Sequence, residues 1–267
     1  MIIALDWLKN FWGQGLELVE QYCGDYTGIV LFVIGSQLLH MVTFWSHCIP
    51  LAIIDLNPQY FKWFARWKTQ QGVHVTPAKY KRAIEMALFN QFFVNIPYAL
   101  FAYFLFKWRG FDYSSDTFPT VGRILFDFVG FIVVEEIAFY YGHLWMHLPQ
   151  YYSTYHKQHH EFTAPVGVAC IYAHPVEHIL CNLSPIVLGP LLMKSHLFTY
   201  WIWLTFAVFS TITSHSGYHF PFLPPPERHD YHHLKFNVNY GPTGVLDSLH
   251  RTDKLFEHTP QAARCAL

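Results

Sequence analysis

The sequence predicts an all-α integral membrane protein. It should have about four transmembrane helices and a cytosolic helical cap that holds a histidine-rich dimetal centre. Three observations predict this. Only 13% of the 267 residues are charged and 52% are hydrophobic, where a soluble domain averages roughly 25% charged. Uncharged runs long enough to cross a bilayer recur along the chain. Thirteen histidines lie between His143 and His233, most of them one helical turn apart.

Taken in order, the first 25 residues are no signal peptide, because Asp6, Lys9, Glu17 and Glu20 interrupt any apolar core. Ile2, Ile3, Leu5, Trp7, Leu8, Phe11 and Trp12 form the apolar face of an interfacial or surface helix. Tyr26–Cys48 follows, 23 residues without Asp, Glu, Lys or Arg; about 20 residues span the hydrocarbon core. Met86–Phe106 is a second uncharged run of 21, with Pro97 as a kink. Ile124–Trp145 is a third span. It carries Asp127, Glu135 and Glu136 and so belongs inside the bundle. His178–Met193 and His196–Ser214, joined through Lys194–Ser195, read as a hairpin that leaves and returns on one side.

The loop between the first two spans holds Lys62, Arg66, Lys68, Lys79, Lys81 and Arg82, which makes it cytosolic under the positive-inside rule. Counting spans from there brings every histidine group to the cytosolic face, at the ends of helices. From Pro221 onward the chain is proline-rich and then polar, and is expected to fold as the cap. The chain divides into membrane-anchoring helices (1–120), a catalytic region (121–255) and a tail (256–267). A net charge of -1 leaves no basic stripe for nucleic acid. The five cysteines are scattered without a C-x-x-C, so they form neither a disulfide scaffold nor a thiolate metal site.

Imidazole is the commonest metal ligand, and side chains three or four residues apart share one helix face. The candidate ligands are His143 and His147, His156, His159 and His160, His215 and His219, and His229, His232 and His233. One tetrahedral ion needs four ligands, so ten argue for two ions. No Glu-x-x-His occurs, as the soluble di-iron bundles use, and no His-Glu-x-x-His of a zincin protease. No cysteine stands among the histidines for a copper electron-transfer site. An all-nitrogen pair of irons beside membrane spans suits the activation of dioxygen for attack on a C–H bond. No catalytic side chain beyond the metal ligands is expected.

The motifs His143-x-x-x-His147, His156-x-x-His159-His160 and His229-x-x-His232-His233 resemble the three histidine boxes of the fatty acid hydroxylase and sterol desaturase superfamily. The flanking residues are similar to the sterol C4-methyl oxidase branch and its fatty acid hydroxylase domain-containing relatives. They are His160-Glu161-Phe162-x-Ala164-Pro165, Tyr172-Ala173-His174-Pro175-x-Glu177, His215-Ser216-Gly217-Tyr218, His229-Asp230-Tyr231-His232-His233-Leu234-x-Phe236, Asn239-Tyr240 and Thr252-Asp253. The likeness covers residues 120–255. His219 departs from the methyl oxidases, which carry Asp there, and matches fatty acid 2-hydroxylases and the domain-containing relatives.

The resemblance implies a multi-pass enzyme of the endoplasmic reticulum membrane with its boxes facing the cytosol. It implies two iron ions, O2, and electrons from a b-type cytochrome and its NAD(P)H reductase. Zinc fills imidazole sites readily, so purified protein can carry it instead. The implied reaction is monooxygenation of a 4-methylsterol in sterol biosynthesis. Fatty acyl or sphingolipid hydroxylation or desaturation is the alternative, and a silent sterol-sensing protein is the non-enzymatic one. Glu135, Glu136, Glu161, Glu177, Asp230 and Asp247 are candidates to orient imidazoles. Phe128, Phe131, Phe139, Tyr140 and Trp145 are candidates to line a lipid channel. His174 is expected near the metals, and His40, His47, His74, His196 and His258 as ordinary packing residues.

Overall fold

The computed structural model describes residues 2–265. Among them no strand forms, and the chain is a helical bundle with a small helical cap. The main helices are α1 (Ile2–Cys23), α2 (Ser36–Leu56), α3 (Pro77–Phe89), α4 (Asn95–Arg109), α5 (Val121–Met146), α6 (Ser184–Met193) and α7 (Leu197–His215). In the cap lie α8 (Glu227–Lys235), α9 (Val245–His250) and α10 (Pro260–Arg264).

Four helical stretches are long and apolar enough to cross a membrane: Asp6–Leu56, Pro77–Arg109, Pro175–Met193 and Leu197–His215. The first three contain the expected runs Tyr26–Cys48, Met86–Phe106 and His178–Met193 and extend past them, and the fourth matches His196–Ser214 shifted by one residue, with His196 as its N-cap. The first run is continuous with α1 through short 3-10 and π-helical turns at Gly24–Gly35. The N-terminal helix is held to the bundle by Trp12, whose Nε1–H donates to the Tyr113 carbonyl at 2.9 Å. The fifth expected span lies in α5. It is 26 residues long but carries Arg123, Asp127, Glu135 and Glu136, which keep it off that set.

The position of α5 follows from its close fit on α6. A Cβ at Gly189 would sit 2.9 Å from Phe131 Cα, so only glycine permits this approach. Phe131 is fully buried and packs at a tilt against Trp203 of α7, 5.3 Å between ring centroids. The Thr120 hydroxyl caps α5 by accepting Arg123 N–H, and the helix ends where His143 and His147 stand one turn apart. In α7 the cap is His196, whose Nδ1 accepts Phe198 N–H at 3.0 Å, and the last residue is His215. Both helices therefore deliver histidines at their C-terminal ends, on the side where the cap sits.

The cap is fastened by buried carboxylates. Glu136 accepts the Thr243 and Leu246 N–H groups at 2.9 and 2.8 Å. Asp247 accepts Tyr240 and Gly241 N–H, both at 2.8 Å. Asp230 receives Thr69 Oγ1 at 2.9 Å and Gln70 Nε2 at 3.2 Å, which ties α8 to the loop between the first two spans.

Candidate metal centre

The side chains of nine predicted histidines converge in two groups. His143, His147, His156, His160 and His232 form one; His159, His215, His229 and His233 form the other, and in each group the ligand atoms lie within 4.8 Å of one another. The adjacent pairs are split between them. His159 and His233 join the second group while their neighbours His160 and His232 join the first, because consecutive helical residues point about 100° apart.

The tenth candidate, His219, is brought to neither group. The one-turn spacing from His215 predicts a shared helix face, but α7 ends at His215 and Gly217 takes a φ of +71°. That turn sends His219 to Glu227, with Nδ1 2.7 Å from the carboxylate. The second box also departs from a regular α-helix: His156 closes a π-turn, and His159 and His160 open a 3-10 turn.

Backbone carbonyls fix the tautomers. A carbonyl only accepts, so each ring nitrogen facing one carries the proton. His143 Nδ1–H donates to Tyr240 at 2.8 Å and His215 to Thr211 at 2.8 Å. His232 donates to Val238 at 2.6 Å and His233 to Phe162 at 3.0 Å. In a neutral ring the Nε2 lone pair then points into the group.

In the first group the Nε2 atoms of His143 and His156 are 3.1 Å apart, those of His156 and His147 2.9 Å, and those of His160 and His156 3.0 Å. In the second, His229 Nε2 stands 2.8 Å from His215 and 3.1 Å from His233. Lone pairs facing one another at such distances repel unless a cation lies between them. Nitrogens about 2.1 Å from one ion are about 3.0 Å apart at right angles and about 3.4 Å apart in a tetrahedron. The observed spacings fit a metal ion in each group.

Burial supports the same chemistry. It pushes His147, His156, His159, His160, His229, His232 and His233 below the ordinary imidazole range, and like-charged neighbours lower them further. Imidazoles held neutral at pH 7 are ready to ligate.

Of the six candidate carboxylates, Glu177 reaches one of the converging histidines. Its Oε1 lies 2.9 Å from His156 Nδ1, and both side chains are buried. Asp247 acts at one remove, by holding Tyr240, whose carbonyl accepts from His143. Glu161 instead pairs with Arg82 and Tyr172. His174 caps the turn that carries Glu177 by accepting Val176 N–H at 3.2 Å. Glu177→Ala is expected to weaken metal binding about 10- to 100-fold, the usual cost of losing a partner behind a ligand. Titration of metal into the stripped variant checks it, and wild-type affinity would show that Glu177 is a spectator.

A cavity of about 490 Å³ opens beside both groups and is walled by His143, His156, His159, His215 and His229. It continues along α7 past Thr211, Ala207 and Leu204 to Tyr200. Of the five aromatics considered for a lipid channel, Phe139 lines it; Phe128 and Phe131 pack against Trp203 instead. His40, expected as a packing residue, is part of the cavity wall.

No solved structure matches the chain. Residues 128–252 match the fatty acid hydroxylase family. "Fatty acid hydroxylase domain-containing protein 2" of Macaca fascicularis is 44% identical, over 94% of this chain and 78% of its own length. "Very-long-chain aldehyde decarbonylase GL1-11" of Oryza sativa is 33% identical, over 88% of this chain and 90% of its own. "Methylsterol monooxygenase 1" of Danio rerio is 30% identical, over 93% of this chain and 84% of its own. With this likeness running through nearly the whole chain, and with the histidine boxes inside the matched region, the chain belongs to the fatty acid hydroxylase family.

Proposed function

We propose that the chain is a di-iron lipid monooxygenase of the endoplasmic reticulum membrane, with its histidine groups on the cytosolic side. It takes O2 and two electrons from a b-type cytochrome and its NAD(P)H reductase. Its substrate is a 4-methylsterol, hydroxylated at the C4-methyl group. This reading is carried by the pair of converging imidazole groups, five and four, set beside the cavity.

His143, His147, His156, His160 and His232 would hold one ion, and His159, His215, His229 and His233 the other. Iron bound there supplies the redox chemistry toward dioxygen. The protein's own residues do the rest. Tyr240, Thr211, Val238 and Phe162 carbonyls hold four imidazoles in the ligating tautomer. Glu177, with Oε1 2.9 Å from His156 Nδ1, is the group placed to orient that imidazole. The apolar wall of Leu204, Ala207 and Phe139 excludes water and admits hydrocarbon from the bilayer.

The sterol reading is supported by the residues flanking the boxes and by likeness to the methylsterol monooxygenase. A second reading, oxidation of a fatty acyl or sphingolipid chain, is favoured by the cavity's length. From Tyr200 to His215 it follows fifteen residues of α7, about 22 Å at 1.5 Å per residue, which suits an extended chain.

Lipid profiling of cells lacking the gene tests both. Accumulated 4-methylsterols are expected. Unchanged sterols with altered hydroxylated or unsaturated acyl chains would replace the first reading by the second.

A further inference from the structure

The cavity wall facing away from the metals carries a hydrogen-bonding station. His40 lines the cavity from α2, is 8% exposed, and its Nδ1 has no partner. Beside it stands a polar chain of fixed direction. Asn95 Oδ1 accepts from His178 Nε2 at 2.8 Å, and His178 Nδ1 accepts from Asn182 Nδ2 at 3.0 Å. Asn182 also lines the cavity, with one of its two amide N–H groups given to His178 and its carbonyl oxygen left. A buried polar group without a partner is costly, and a membrane interior offers no water to relieve it. The His40 ring lines the space a ligand fills.

Two contacts fix the depth of His40. Trp201 Nε1 donates to Ser36 Oγ at 2.9 Å, and the His47 and Phe209 rings are 4.7 Å apart. Helices α2 and α7 therefore run side by side in one direction, and His40 falls opposite Leu204. Leu204 stands eleven residues before His215, about 16 Å at 1.5 Å per residue. An extended chain covers about 1.2 Å per bond, judged from the span of an extended backbone residue of three bonds. About a dozen bonds thus separate the station from the histidines.

We propose that His40 and Asn182 bind the hydroxyl or carbonyl oxygen of a long-chain lipid and set a carbon roughly a dozen bonds along that chain before the metal centre. The inference rests on the second reading above, a long-chain substrate. A sterol held here by its 3-hydroxyl would turn its side chain, not C4, toward the histidines. His40 is thus a specificity-determining residue remote from the ligands.

The test uses metal-loaded protein in nanodiscs and three photoreactive probes: a C18 primary alcohol, its deoxy counterpart ending in methyl, and a 4-methylsterol. Wild type should label about tenfold better with the alcohol than with the deoxy probe, the worth of about one net hydrogen bond. His40→Phe keeps an aromatic ring against Phe44 and should erase that preference while retaining both metals. His40→Gln, which keeps a donor and an acceptor, should restore it, and Asn182→Leu should lower it independently. Equal labelling by the two C18 probes in wild type overturns the station and leaves the long-chain reading standing. Labelling by the sterol alone overturns the long-chain reading and the station with it.

Discussion

Alanine at His159 is expected to abolish turnover and to leave one metal ion per chain where wild type holds close to two. The residue belongs to the four-histidine group, so its loss leaves His215, His229 and His233. Three imidazoles fall short of a closed four-coordinate site. Loss of a group that merely orients a ligand costs about 10- to 100-fold, so loss of the ligand itself should exceed 100-fold in activity. His160→Ala should behave differently although the residues are adjacent. It leaves four imidazoles in the other group, enough to hold an ion in excess metal but to release it faster to a chelator. His219→Ala should keep both ions, because its ring faces Glu227. Metal analysis of purified variants, with turnover measured on the same samples, separates these cases. Two ions retained in His159→Ala, or identical behaviour of His159→Ala and His160→Ala, would refute the assignment.

That contrast was invisible in the sequence. Nine of the ten candidate histidines converge, and the spacing of the boxes points that way because one-turn spacing is a local property that helix geometry enforces. Which neighbour joins which group depends on how the π-turn at Tyr152–His156 and the 3-10 turn at His159–Glu161 rotate the second box. No side-chain pattern encodes that rotation. His219 misled for the opposite reason: its spacing from His215 was helical, but Gly217 ended the helix between them. The glycine was legible as a possible breaker; its positive φ was not. The membrane runs were legible because hydrocarbon demands about 20 uncharged residues. His40 was lost among them, since a lone histidine in an apolar run looks the same whether it packs or faces a cavity.

Acidification should destabilise the metal-free cap steeply below about pH 6.5. In the folded protein burial lowers His147, His156, His159, His160, His229, His232 and His233 from the ordinary value of 6.5. Where the cap opens and the end of α5 and the second box beneath it are exposed with it, all seven titrate near that value. Between the two pKa values the unfolded state binds more protons, so stability is lost as pH falls through 6.5 and is fully present above it. At one unit below 6.5 each group contributes about 1.4 kcal/mol to unfolding, and seven acting independently about 10 kcal/mol. Domains are stable by only about 5–15 kcal/mol, so the metal-free cap should open near pH 5.5 while the membrane helices persist. Metal binds the neutral imidazoles alone and adds its binding free energy to the folded state. The loaded protein should therefore hold its cap to lower pH, until protons displace the ions. Hydrogen exchange in α8, followed from pH 7.5 to 5 with and without metal, measures both curves. Protection relative to the intrinsic exchange rate that stays constant with pH in the metal-free protein would mean that these histidines are not held neutral by burial, and the ligand geometry would lose its electrostatic basis.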